Sequence, residues 1–342
     1  MVTVGIAEEM GMRYTKDFDR VLNAVLRRMG FDKVFTTGLG TDVCITEISG
    51  QLADKIENKI DTPLYISACP AWVKYAEQFI PSLLPHLSTV KSPQQITGVL
   101  IKTLVAEQVK AKPEEIFSVS VTPCVAMKFE ARRDGMMRKG ISDVDSVLTI
   151  RELARLIRLY GIDITNIETE PADEPLSGRS SAAVLSEVSG GIAEGVLRLF
   201  YYSRLKKDAD KQYLKKLRSS GCFREASVQV GDLEVKIAVV DGLTGLEKLK
   251  AAMASGKKFD LVEVMTCPGG CVHGAGLPFS ATKDEIKSRA KLVYQIDETE
   301  AISLPCKSPA LINLYENLLK GSSELADKKI FYTHFEKRNV LL

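Results

Sequence analysis

Short extended runs of apolar residues alternate along this chain with longer stretches whose apolar positions recur at helical spacing. Residues 2–6 are predicted as a strand, 17–29 as an amphipathic helix, 33–37 as a strand and 47–58 as a helix. The apolar run Leu64-Tyr65-Ile66, the alternating run 116–121 and the run 261–265 all read as strands. Helices are predicted near residues 71–80 and 93–109, and a further element covers 145–150. Thr149 and Glu152 have the spacing of a capping box for a helix running through Leu159. A helix at 191–202, a strand at 235–240, a helix at 243–254 and two closing helical stretches complete the pattern, and no internal repeat is visible.

Strands that alternate with helices imply an α/β fold of mostly parallel sheet flanked by helices on both faces. Residues 168–180, rich in Pro, Glu, Asp, Gly and Ser, are the best candidate for a boundary between lobes. The expectation is one domain over 1–342, with approximate lobes at 1–170 and 181–300 and a helical closure at 301–342.

The composition, 45% apolar and 26% charged over 342 residues, is that of a globular protein. A net charge of +2 is too near neutral to argue for a nucleic-acid partner. The start of the chain lacks a basic region followed by an apolar stretch, and no apolar run approaches the ~20 residues that cross a bilayer. A cytoplasmic location without a membrane partner is therefore expected.

Seven cysteines without export signals are read as thiols or metal ligands rather than disulfides. Cys44, Cys222 and Cys306 stand alone and are expected to be small apolar residues. The other four follow the predicted strands in three loops: Ser67-Ala68-Cys69-Pro70, Thr122-Pro123-Cys124 and Met265-Thr266-Cys267-Pro268-Gly269-Gly270-Cys271. In open α/β sheets ligands bind beyond the carboxyl ends of strands, so four thiolates from distant segments are expected to meet there. Paired glycines allow close backbone approach to a bulky inorganic group. Neither the paired knuckles of zinc sites nor the closely spaced cysteine runs of ferredoxins are present.

At these residues the chain resembles the catalytic domain of the FeFe-hydrogenases. That family's signatures are Thr-Ser-Cys-Cys-Pro, Met-Pro-Cys-x-x-Lys-x-x-Glu and Met-x-Cys-x-Gly-Gly-Cys, in that order. This chain has Ile66-Ser67-Ala68-Cys69-Pro70, then Thr122-Pro123-Cys124-Val125-Ala126-Met127-Lys128-Phe129-Glu130, then Met265 to Cys271. The segments Lys91-Ser92-Pro93-Gln94-Gln95 and Thr149-Ile150-Arg151-Glu152-Leu153 match the family's intervening stretches.

The resemblance implies two lobes with a metal cluster at their interface. It also implies the H-cluster, a 4Fe-4S cubane joined to a two-iron subsite with carbon monoxide, cyanide and azadithiolate ligands. By position, Cys69, Cys124 and Cys267 would bind the cubane alone and Cys271 would bridge to the two-iron subsite. Ala68, Met265, Ser92, Gln94, Lys128 and His273 are the further candidates for the pocket. Maturation proteins, and a ferredoxin or other electron carrier, are the implied partners. The basic segment 204–218, with Lys206, Lys207, Lys211, Lys215 and Lys216, is either a docking site for an acidic carrier or a solvated helix face.

Departures from the family pattern matter equally. The cysteine that relays protons is replaced by Ala68, and the two glutamates continuing that relay align with Ile48 and Gln51, although Ser88 and Glu47 remain nearby. The lysine that bonds a cyanide aligns with Met127, leaving Lys128 one position late, and a family methionine has become Thr122. The family's Gly-Gly-Gly-Gln-Pro is Gly274-Ala275-Gly276-Leu277-Pro278 here. A cage that keeps its ligands while losing its proton relay resembles the divergent branch of the family linked to sensing. No fused electron-relay or signalling module is seen within these residues, so an electron carrier and a signalling partner are expected. Two other readings stay open: a fully active hydrogenase with a non-standard proton route, and an iron-sulfur assembly or carrier protein of the Nar type, without the two-iron subsite.

Overall fold

A computed structural model describes residues 1–279, 281–319 and 328–339, with the side chains of all of these except Lys211 and Lys328. Among the described residues there are eight strands: β1 Leu64–Tyr65, β2 Val119–Thr122, β3 Met137–Arg138, β4 Ile141–Ser142, β5 Ser146–Thr149, β6 Phe223–Val230, β7 Leu233–Asp241 and β8 Leu261–Met265. The main sheet has the order β1-β8-β7-β6. In it β8 runs parallel to both β1 and β7, whereas β6 is antiparallel to β7. A second sheet is the parallel pair β2-β5, and β3-β4 form a small antiparallel pair. The fold is α/β with mostly parallel sheet flanked by helices, as the pattern predicts. The main sheet nevertheless takes β1 from before residue 170 and its other strands from after 181, so sheet membership crosses the expected lobe boundary.

Burial explains the strand sequences. β8 is buried at every position, as a central strand covered on both faces requires. One face of the sheet, with Val228, Ile237, Val239 and Leu261, packs on the helices Gly38–Glu57 and Gly191–Leu205 in the largest core. The other face, with Ala238, Val240, Val262 and Val264, packs on Trp72, Ala76, Leu246 and Leu249. A third core joins Ile6, Leu22 and Val25 to Ile150, Leu153 and Ile157 beside the small parallel sheet.

Two predicted elements differ, and one strand lies outside the predicted set. Residues 2–6 lie in a helix, Val2–Glu9, that buries Val4 to Ala7; so short an apolar run fits a buried helix and a buried strand equally well. Residues 33–37 form no strand, because the backbone of Val34 is paired with Asp173, accepting its N–H at 2.8 Å and donating to its carboxylate at 2.8 Å. Strand β6 was not predicted at all, although Gly231-Asp232 between β6 and β7 is a two-residue hairpin turn with Gly231 at φ 62°. The capping box at Thr149 and Glu152 is present. Among the described residues no helix is long and apolar enough to cross a membrane.

Candidate metal centre

The three cysteine loops leave the carboxyl ends of β1, β2 and β8. Because β1 and β8 are direct neighbours, Cys69 and Cys267 leave the same edge side by side, and the Cys69 sulfur lies 3.6 Å from Thr266 Oγ1. Cys124 comes from the other sheet and is brought in by the third loop. Gly276 N–H donates to the Pro123 carbonyl at 2.7 Å. A Cβ on Gly276 would stand 2.8 Å from Pro123, so a side chain would lift the third loop off the second. Gly270, at φ 92° and with its missing Cβ position 2.5 Å from the Ser189 nitrogen, seats Cys271 against the turn before the Gly191–Leu205 helix.

The four thiols share one electrostatic environment. Burial pushes the Cys124 thiol up to about 12, with Cys69 and Cys267 adding to the rise. Cys267 is raised by burial and then by Cys69, and Cys271 is raised well above its ordinary value by burial, Glu187, Cys124, Cys69 and Cys267. Backbone N–H groups oppose this, from Met127 and Ala126 toward the Cys124 sulfur and from Ala275 toward the Cys267 sulfur. Cys124, Cys267 and Cys271, held this way, keep their protons until a cation displaces them, which couples metal uptake to proton release.

The donor set fits an iron-sulfur cluster. Among the described residues no three His, Cys, Asp or Glu side chains close on a single ion. The charge of Cys69 instead acts on Cys124, Cys267 and Cys271, which brings the four cysteines into one neighbourhood, as a cluster taking one thiolate on each of four irons would require. N–H groups directed at the sulfurs are a means of tuning such a cluster. The buried Oε1 of Gln94 has no hydrogen-bond partner, while its Nε2 donates to the Met127 carbonyl at 3.3 Å behind Cys124, so an acceptor stands free beside this loop.

The other sequence candidates separate into two groups. Ala68 is buried in the main core, Met265 is buried at the end of β8, and Ser92 caps the Pro93–Leu100 helix while donating to Glu130 Oε2 at 2.7 Å. Lys128 is instead paired with Glu152 at 2.7 Å on a partly exposed face. His273 is exposed, its Nδ1 3.2 Å from the Pro268 carbonyl, which is the arrangement of a surface-loop histidine. Trp72 is fully buried between Tyr65 and Tyr75, with ring centroids 6.2 and 6.3 Å away, and serves as packing.

Two buried carboxyls are not among the sequence candidates for the pocket. Glu263 interrupts an otherwise apolar strand, which is its sequence signal; it accepts the N–H groups of Gly190 and Ala193, both at 2.7 Å, at the start of the Gly191–Leu205 helix. Burial pushes Glu263 up to about 7 against those bonds. Glu130 is the last residue of the Cys124 motif and is likewise pushed up to about 7 by burial, against the Ser92 bond and the Arg133 and Lys91 charges.

The model of the iron-only hydrogenase large subunit, C-terminal domain, matches residues 1–275, and the chain belongs to that family. It is 34% identical to iron hydrogenase 1 of Clostridium pasteurianum over 98% of this chain and 60% of that one. The chain thus spans about three fifths of the length of its hydrogenase relatives. It is also 29% identical to cytosolic iron-sulfur assembly component 3 of Pongo abelii, over 93% of this chain and 69% of that one. A solved variant of the HydA1 FeFe-hydrogenase from Chlamydomonas reinhardtii matches with a TM-score of 0.85 at 27% identity, covering 99% of this chain and 93% of that one.

Proposed function

We propose that Cys69, Cys124, Cys267 and Cys271 hold a 4Fe-4S cubane, with a two-iron subsite attached through Cys271. The chain would use it for slow, reversible dihydrogen oxidation and proton reduction, in the service of sensing dihydrogen or redox state in the cytoplasm. When bound, that group supplies the dihydrogen and electron chemistry, and the protein supplies orientation, burial and the movement of protons.

The observation that carries the slow, sensory reading is the state of the proton relay. Ala68 offers only a methyl group, Ile48 is fully buried in the core, and Gln51 offers an amide. None of the three can take up and release a proton near neutral pH. Gln94 and Ser92 remain as pocket-side polar groups, and the carbon monoxide, cyanide and azadithiolate ligands are part of the same proposal. Maturation proteins would load the site, a ferredoxin or similar carrier would supply electrons, and a signalling partner would read the state.

Infrared spectroscopy of anaerobically matured protein tests this reading. Carbon monoxide and cyanide bands together with slow dye-linked turnover are expected. A cubane without those bands would favour the assembly or carrier reading, which the likeness to the cytosolic iron-sulfur assembly component keeps open. Bands with fast turnover would favour a fully active hydrogenase.

A further inference from the structure

The loss at Ala68 leaves protons without their family carrier, yet a different acid stands beside the same segment. Glu130 ends the Ala126–Glu130 helix that begins just behind Cys124, and it is only 3% exposed. Ser92 Oγ donates to its Oε2 at 2.7 Å, and Gln94 Nε2 lies 3.5 Å from the same oxygen. Together with Ser67, Pro70, Ser92 and Thr333, Glu130 lines a small cavity with room for about one water molecule. Of the residues lining this cavity, Ser67 and Pro70, which bracket Ala68 and Cys69, are buried, whereas Thr333 and Phe335 are partly exposed.

We propose that Glu130 is the proton carrier of this chain, exchanging with solvent past Thr333 and Phe335 and with the pocket above Ala68 past Ser67. The inference rests on the hydrogenase reading. In the inward direction, the O–H bond of protonated Glu130 breaks as its proton passes to the cavity water beside Ser67. That water hands one proton on past Ser67 to the acceptor in the pocket and returns to neutral water, while a hydronium ion at the outer side reprotonates the Glu130 carboxylate and leaves as water, so one proton moves inward per cycle and charge and atoms balance without any oxidant or reductant.

The surroundings of Glu130 suit this role. Burial raises it to about 7, so both protonation states are accessible near neutral pH. From its own segment it faces Arg133, whose guanidinium is held by Glu77. From the neighbouring helix and its approach it faces Ser92, Gln94 and Lys91, the last paired with Asp143 at 2.5 Å. From the Gly38–Glu57 helix the buried Cys44 thiol senses its charge. The 328–339 segment contributes the neutral Thr333 and Phe335. With Lys91 and Arg133 paired to Asp143 and Glu77, no direct ion pair among the described residues fixes Glu130 in its charged form.

The test uses Glu130→Gln, Glu130→Asp and Thr333→Leu, the last at a partly exposed position of the cavity lining. In both unmatured and matured protein, the wild-type minus Glu130→Gln infrared difference should show a protonated-carboxyl band that disappears with a midpoint near pH 7, separate from the band of Glu263, which both proteins keep. Matured Glu130→Gln should keep the carbon monoxide and cyanide bands and turn over at least tenfold more slowly, with Glu130→Asp recovering part of the rate. Should Glu130→Gln fail to fold, Thr333→Leu decides: slower turnover with the carboxyl band intact supports the route. Unchanged turnover in Glu130→Gln, or in Thr333→Leu, with metal bands intact overturns the Glu130 route alone. Matured wild type without those bands overturns the hydrogenase reading instead.

Discussion

The hydroxyl of Ser88 donates to the side-chain carbonyl of Gln51 at 2.7 Å, and the Gln51 amide donates onward to Thr89 Oγ1 at 2.9 Å. A hydrogen-bonded link therefore persists where the family carries protons, with an amide in place of a carboxyl. The neighbouring Glu47 does not fill the gap, because Tyr315 and Tyr332 both donate to its carboxylate at 2.5 Å and hold it toward the C-terminal segment.

Rebuilding the relay should raise turnover in steps. Ala68→Cys alone is expected to give a small gain, and the triple change with Ile48→Glu and Gln51→Glu a larger one, each tenfold corresponding to about 1.4 kcal/mol of barrier. Ile48 is fully buried, so the triple variant should also melt at lower temperature. Dye-linked rates with infrared bands as a control for misligation measure both effects. A triple variant no faster than wild type would show that proton supply is not limiting.

Iron content should distinguish the four ligands from the other cysteines. Cys69→Ser, Cys124→Ser and Cys267→Ser should each destabilise or abolish the cubane, whereas Cys271→Ser should mainly prevent attachment of the two-iron subsite. Cys44, Cys222 and Cys306 variants should bind iron as wild type does. Equal iron and identical infrared bands across the four ligand variants would remove the assignment.

Glu263 should make stability depend on pH. Its folded value near 7 lies above the ordinary glutamate value, so between about pH 4.5 and 7 the folded protein keeps a proton that the unfolded chain has released. Stability should therefore fall across that window, by on the order of 3 kcal/mol from this group, and level off above it. Glu263→Gln should flatten this slope while losing about 1–2 kcal/mol, since an amide presents one acceptor to the two N–H groups. Urea unfolding of both proteins in the same metallation state at several pH values measures the difference.

Asp297 should act in the opposite sense. Burial pushes it up, but bonds and charge from Arg198, Ser181 and Arg218 outweigh this and hold it at about 2. Its contribution is present above the ordinary aspartate range and lost as pH falls toward 2. Asp297→Asn should cost about 3 kcal/mol at neutral pH by leaving Arg198 with Glu194 alone, and should remove the acid-range slope. A cost below about 0.5 kcal/mol would show that the network is dispensable.

Lys207, Lys215 and Lys216 are exposed, and we propose that they steer an acidic electron carrier. Changing all three to glutamine should slow reduction by ferredoxin several-fold at low salt and leave reduction by a small dye unchanged. Equal ferredoxin rates would return the segment to an ordinary solvated face.

Much of this protein is written locally. The strand ending in Met265, the Thr149 capping box and the amphipathic helix at Phe18–Arg28 are set by a short apolar run, side-chain caps and helical period, all of which act within a few residues. The cysteine loops and the missing relay side chains are likewise legible, because ligand type and spacing are properties of the chain itself. What only the tertiary structure decides is where these pieces point. Strand β1 joins β8 across nearly two hundred residues of sequence, which no local pattern encodes. Val34 bonds to Asp173 instead of entering a sheet, Lys128 turns to Glu152, and His273 stays on the loop surface. Glu130 and Glu263 look like ordinary charges in the sequence, and their shifted acidity comes from burial by segments that only the fold brings together.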